Sequence, residues 1–339
     1  MIISKPLTPG KPILGLIMIL FLTQLGLSET IVIKFATVAP RNSSWMNSMV
    51  ELDRELQERT EGTVRFKFYP GGVQGDEQDV LRKIRIDQLH AGGFTGVGMG
   101  AVNPDSRILD LPFLFNNSTE VDQVTEMYHE QFVNGFRQGG FELLGWTEVG
   151  LVRFFTSTPI HSIDDIKQIK LWVWQDDPLA RLFFRELGVA PIPLALPDVL
   201  SGLETGLINA AYASPYAGAV LQWHTRVDHV SQMPVANAAG AILISQERFT
   251  RLSSQQQTVL LELCARYSRQ ITLNSRRENQ RTLELFSEQG ISLDPEPVGR
   301  EMQGLQQAAT DVQQKLAGEL YNELLFKQIQ QSIRELRGQ

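Results

Sequence analysis

The feature that most narrows the folds open to this chain is an alternation of strand and helix that runs once, breaks, and starts again. The segment "TIVIKFATVAP" is β-branched and aromatic and stops at Pro40, which predicts a strand. Ser43 and Ser44 can cap a helix from Trp45 to Arg59, with Met46, Met49, Val50 and Leu56 on its inner side. "TVRFKFYP" alternates Val64, Phe66 and Phe68 with Arg65 and Lys67, a second strand. A helix near Asp76–Gln88 and the glycine-rich "HAGGFTGVGMG" complete a β-α-β-α-β order, that of an open α/β sheet.

After Gly139–Gly140 the order restarts. "FELLGWTEVGLVRFFTS" supplies strands, and "SIDDIKQIKLWVW" a short helical turn followed by a strand that carries Trp172 and Trp174 on one side. "DDPLARLFFRELG" is a helix with Pro178 in its first turn and Gly188 at its end. "VAPIPLAL" is extended, "PDVLSGLETG" helical, and "LINAAYAS" a strand; "AAGAILISQERF" then returns to the first unit. Ser253 and Ser254, with Gln256 and Gln257 three residues on, predict capping boxes opening a long helix to about Glu288. Residues 299–337 read as one or two amphipathic helices through Leu305, Val312, Leu316, Ile329 and Ile333. The expected architecture is a two-lobe α/β protein with linking strands and a long helix across both lobes. Lobe 1 takes residues 29–148 and about 243–290, lobe 2 takes 149–242, and residues 291–339 are C-terminal helices packing on the lobes. Clefts between such lobes are favoured ligand sites.

Several function classes are excluded at this level. The net charge is -7 with no basic stripe, and phosphate backbones need concentrated Lys and Arg, so nucleic acid is not an expected partner. The start of the chain has Lys5 and Lys11, no acid, an apolar run at Ile13–Leu22, and small residues at Gly26 and Ser28. That pattern predicts a signal peptide over residues 1–28, cleaved near Ser28, and a periplasmic location. The single cysteine, Cys264, lies among Leu260, Leu261, Leu263 and Tyr267 and reads as a small buried hydrophobe. "GGFTGVGMG" has neither dinucleotide nor P-loop spacing, and no nucleophile-elbow motif is present. His224 and His229 stand five apart, a poor spacing for a metal pair on one helix face. Asp164–Asp165 and Asp176–Asp177 read as helix N-terminal charges. No enzyme activity, cofactor or metal is therefore expected.

Six stretches, in order, resemble the extracytoplasmic receptors of TRAP transporters, the DctP-like family: "IKFATVAPRNSSW", "FKFYPGGVQGDEQDVLRKIRIDQLHAGGF", "LDLPFLF", "IDDIKQIKLWV", "LGVAPIPLALPDVLSGLETGLINAAYASP" and "SQERFTRLSSQQQ". The resemblance runs from about Ile31 to Phe286. It implies two α/β lobes closing on one small-molecule ligand, and membrane TRAP subunits as partners. It also implies an arginine in the "IKLWV" segment to grip a substrate carboxylate, and this chain has Trp172 there. An indole offers one N–H and a large apolar face in place of a bidentate cation. A second family arginine is kept as Arg153 in "GLVRFFTS".

By the same resemblance, Thr37, Trp45, Phe94 and Thr95 face the cleft from the first lobe. Trp172, Trp174, Tyr212, Ser214 and Tyr216 do so from the second, with Asn237 at the hinge. The expected ligand is then largely hydrophobic or aromatic, with one polar end at Arg153. Two alternatives stay open: an ordinary organic acid anchored by Arg153, and a scaffold or sensor that keeps the fold without transport. "LWVWQDDPLA", "PLALPDVL" and "YASP…LQWHT" are similar to a branch associated with periplasmic TPR-repeat proteins, which implies such a partner.

Overall fold

The computed structural model describes Met1 and residues 30–339. The predicted signal peptide lies, apart from Met1, outside them. Ten strands are found among the described residues: β1 (Ile31–Thr37), β2 (Val64–Tyr69), β3 (Ala91–Thr95), β4 (Phe141–Thr156), β5 (Trp172–Trp174), β6 (Ile192–Leu194), β7 (Ala210–Ala213), β8 (His229–Ser231), β9 (Ala236–Ser245) and β10 (Ser292–Asp294). In the first lobe β1 lies between β2 and β3, parallel to both. β3 then pairs antiparallel with β9, and β9 with β4. In the second lobe β4 pairs with β7 and β8, β8 pairs parallel with β10, and β5 pairs parallel with β6.

Apart from the separate two-stranded β5–β6 sheet, the strands of both lobes form one chain of pairings joined through β4 and β9. β4 was expected as several strands and is one strand of 16 residues. It pairs with β9 as far as Val152 and with β7 from Arg153, so its partner changes in mid-strand. Irregular register at Leu143/Gly145 and Glu148/Gly150 lets so long a strand bend, and Gly150 has φ +124°, open to glycine at little cost.

The first-lobe core sits between β1–β3 and the helix Ser44–Arg59, whose N-cap Ser43 accepts from the Met46 N–H. Phe35, Met49, Leu52, Leu56 and Phe66 fill it. In the second lobe Phe155, Trp172, Trp223 and Val230 form a separate buried cluster. The long helix Ser254–Glu288 opens on the Ser253/Gln256 capping box; Ser254 is its first residue rather than a second cap. The helix packs along β4 and contacts both Ser44–Arg59 and the second-lobe helix Pro215–Val220, so it spans the lobes. The C-terminal helices Arg300–Leu316 and Glu323–Leu336 pack on Pro178–Glu186 and Ser118–Met127 respectively. His224 and His229 lie on no common helix: one is in a 3-10 turn, and the other, in β8, holds Asp294 at 2.8 Å.

Candidate functional site

A cavity of about 240 Å³ lies between the lobes. β5 delivers both its tryptophans to it, because alternate residues of a strand share a side. Trp172 is 1% exposed, stacks on Tyr212 at 4.9 Å between ring centroids, and meets Trp223 edge-on at 5.3 Å. Its only donor, Nε1–H, goes to the Leu194 carbonyl at 3.1 Å. Trp174 donates its Nε1–H to Asp76 Oδ2 at 2.6 Å, across the cleft. With both indole donors taken by protein, these rings present only carbon faces to the cavity.

Much of the remaining wall follows the same pattern, but the Tyr212 hydroxyl, Arg107 Nε and Asn237 Oδ1 are buried there without a partner among the described residues. Thr37 accepts from the Ala39 N–H, and Ser214 caps the helix Pro215–Val220. The Tyr216 hydroxyl accepts from the Ser44 N–H at 3.1 Å, another bond between the lobes. Phe94, 4% exposed, belongs both to the sheet core and to the cavity wall. Trp45 lies so close over Gly93 that a Cβ there would sit 2.5 Å from the ring, which explains one of the glycines of "GGFTG". Thr95 is tied through its N–H and its hydroxyl to Glu77, a carboxyl 1% exposed that also takes the Gly98 N–H. Burial pushes Glu77 up to about 8, against the pull of those three hydrogen bonds.

One cation lines the cavity among the described residues, and it is Arg107 rather than Arg153. Arg107, in the 3-10 turn Pro104–Asp110, donates to Asp110 Oδ2 at 3.1 Å and to Asp177 Oδ1 at 2.8 Å. Its burial disfavours the charged form, but the two carboxylates more than offset this and its pKa stands above the usual range. Asp110 is pushed up to about 6 by burial, with Arg107 and the Ala239 N–H pulling the other way. A Cβ at Gly96 would lie 1.6 Å from Asp110 Oδ2, so this packing requires glycine there. Asp177 caps the helix Pro178–Glu186 through the N–H groups of Leu179 and Ala180. It therefore fills the expected helix-terminal role and also reaches across the cleft to Arg107.

The match to known proteins covers most of the chain. The family described as "Bacterial extracellular solute-binding protein, family 7", or DctP, matches residues 35–319. The chain belongs to this family. A solute-binding protein of Chromohalobacter salexigens is 28% identical over 160 residues, 47% of each chain. The 2,3-diketo-L-gulonate-binding periplasmic protein YiaO of Escherichia coli is 28% identical over 160 residues, 46% of this chain and 48% of that one. The aligned stretch thus spans about half the length of these two relatives. Among solved structures, the sugar acid binding protein DctPAm of Advenella mimigardefordensis, in complex with galactonate, superposes with a TM-score of 0.85. It is 17% identical, over 91% of this chain and 99% of that one.

In this family 7 protein the residues named from sequence line the cavity, with one exception. Arg153 does not, contrary to the expectation that it faces the cleft. On β4 the cavity-lining neighbour is Val152, and strand alternation turns Arg153 to the other face. There it donates to the Ser231 carbonyl at 3.2 Å, with Glu296 as the acid near it. Sequence reasoning missed Arg107, Asp110 and Glu77. The first two had one visible signal: a cation and an acid three apart inside the apolar run "SRILDLPFLF", a pair that can be buried only together. Trp223 is buried against Trp172 and reaches the cavity wall.

Proposed function

We propose that the protein is a periplasmic receptor of a TRAP-type importer that encloses a largely apolar or aromatic small molecule between its lobes. The observation that carries this reading is the state of Arg107: its fork is shared between Asp110 and Asp177, leaving no unmatched cation in the cavity among the described residues for a ligand carboxylate. The indole donors are likewise spent on Leu194 and Asp76. A ligand entering the cleft meets aromatic faces, and burying them supplies the affinity. Asp76–Trp174, Arg107–Asp177 and Ser44–Tyr216 are contacts of the closed arrangement. Ligand binding works by stabilising that arrangement over an open one. The cargo then passes to TRAP membrane subunits, and a periplasmic TPR-repeat partner remains an expectation of the resemblance. No helix among the described residues is long and apolar enough to cross a membrane.

The competing reading keeps the receptor and assigns an organic acid, because YiaO is named for a keto sugar acid and DctPAm was solved with galactonate. Such a ligand would have to draw Arg107 away from one of its aspartates. Calorimetry with galactonate and small dicarboxylates, beside mass spectrometry of an organic extract of the purified protein, separates the two. An apolar copurifying molecule and no measurable heat from the acids is the expected result. Micromolar binding of a sugar acid would sink the proposal.

A further inference from the structure

The charges around the cavity do not cancel. Its ionisable lining is Arg107 with Glu77, Asp110, Glu148 and Asp177. Glu148 is held by Arg276 on the long helix, which also pairs with Asp122, and burial raises Glu77 above the ordinary carboxyl range. At the cavity wall one guanidinium stands between two aspartates, an excess of one carboxylate among buried side chains. Asp177 Oδ1 receives Arg107 Nη2 and the N–H groups of Leu179 and Ala180, while its Oδ2 has no partner among the described residues.

A second, independent group points the same way. Asn237, 3% exposed on β9, spends its Nδ2 on the Leu109 carbonyl at 3.5 Å, which leaves Oδ1 as a buried acceptor without a partner. It stands beside the turn that carries Asp110, whose partner Arg107 also holds Asp177. Leu109 precedes Asp110 in one turn, and Asp110 Oδ1 accepts from Ala239, two residues along β9 from Asn237. The cleft therefore offers two unfilled acceptors, Asp177 Oδ2 and Asn237 Oδ1, together with the unpartnered Tyr212 hydroxyl, which can also accept, and more carboxylates than cations within a ring of aromatic faces. That combination suits a cation, which gains from carboxylate pairing and from π faces together.

Resting on the apolar-cargo reading above, we propose that the ligand carries a protonated amine on its apolar body, with Asp177 and Asn237 as the residues that select it. The same site turns carboxylates away. Arg107 Nε–H also lacks a partner and can take an oxygen of the ligand next to the amine. It restores no preference for anions, since the guanidinium charge is already matched twice.

The test is a ligand ladder on one skeleton. 4-Phenylbutylamine, 4-phenylbutanol and 4-phenylbutyrate are titrated calorimetrically, near neutral pH, into protein freed of copurifying molecules by unfolding and refolding. The amine is expected to bind at least about tenfold more tightly than the alcohol, with the carboxylate weakest. Asp177→Asn keeps the capping oxygen and removes the charge, and should bring the amine down to the level of the alcohol. An alcohol or carboxylate that equals or exceeds the amine overturns the amine proposal and leaves the apolar cleft standing. Failure of all three to bind overturns the apolar-cargo reading itself. Should Asp177→Asn fail to fold, the ladder on the unaltered protein decides alone.

Discussion

Trp172 shows how one side chain can belong to the packed interior and to the cavity wall together. Its ring is packed on three sides by Tyr212, Trp174 and Trp223, and its N–H is bonded to backbone. It is a core residue and a cavity wall at once, so removing it should hurt twice. Trp172→Ala is expected to lower unfolding stability by about 3–5 kcal/mol, the usual cost of emptying a large aromatic site, read from urea denaturation. A loss under about 1 kcal/mol would mean the ring is not packed as described. Arg153 supplies the control at the same scale. Because it points away from the cavity, Arg153→Ala should leave the affinity for a cleft ligand within about twofold, far below the loss expected for removing a buried charged hydrogen-bond donor. A hundredfold loss in calorimetry would return Arg153 to the site.

Among elements, the N-terminus of the helix Glu77–Arg85 joins the lobes. Asp76 caps that helix, in a capping box with Asp79, and its Oδ2 accepts from Trp174 Nε1 and from the Leu196 N–H in the other lobe. Burial raises its pKa, and the Trp174 bond opposes the rise. Asp76→Ala should cost about 1 kcal/mol for the lost cap and also loosen the closed arrangement. Trp174→Phe keeps the cap and removes only the bond between lobes. Both variants are expected to increase the radius of gyration of the ligand-free protein in small-angle scattering. If Trp174→Phe scatters like the unaltered protein, the bond does not hold the lobes together.

At the scale of the molecule, closure places carboxyls where water is scarce, and this couples stability to pH. Glu77 stands at about 8 in the fold against an ordinary 4.5, and Asp110 at about 6 against 3.8, both through burial. Across the interval between each pair of values the folded protein keeps a proton that the unfolded chain has released. Unfolding then releases protons, so the contribution of these groups is fully favourable at low pH and is lost as pH rises, up to about 8 for Glu77. The Thr95 hydroxyl can reverse its bond to accept the Glu77 proton. Glu77→Gln, which cannot ionise, should flatten the decline in urea midpoint between about pH 5 and pH 8 relative to the unaltered protein. Parallel pH profiles for the two proteins would show that Glu77 is ionised throughout.

The elements were legible in the sequence because their causes are local. Strand alternation in "TVRFKFYP", the Ser253/Gln256 box and the proline–glycine frame of "DDPLARLFFRELG" each act within a few residues, and each appears in the fold where it was expected. Trp172 and Trp174 had to share a side for the same reason. The charge state of the cleft was not legible. Arg107 and Asp177 are 70 positions apart, and nothing local to either says that they meet. Nor does "GLVRFFTS" say which face of β4 looks into the cavity, since that depends on where the strand exchanges β9 for β7. The sequence by itself determined the α/β rhythm, the caps and the pairing of tryptophans on one strand. Only tertiary structure decided which cation sits in the cleft and that it arrives already neutralised, because closing two lobes brings together charges that the chain keeps far apart.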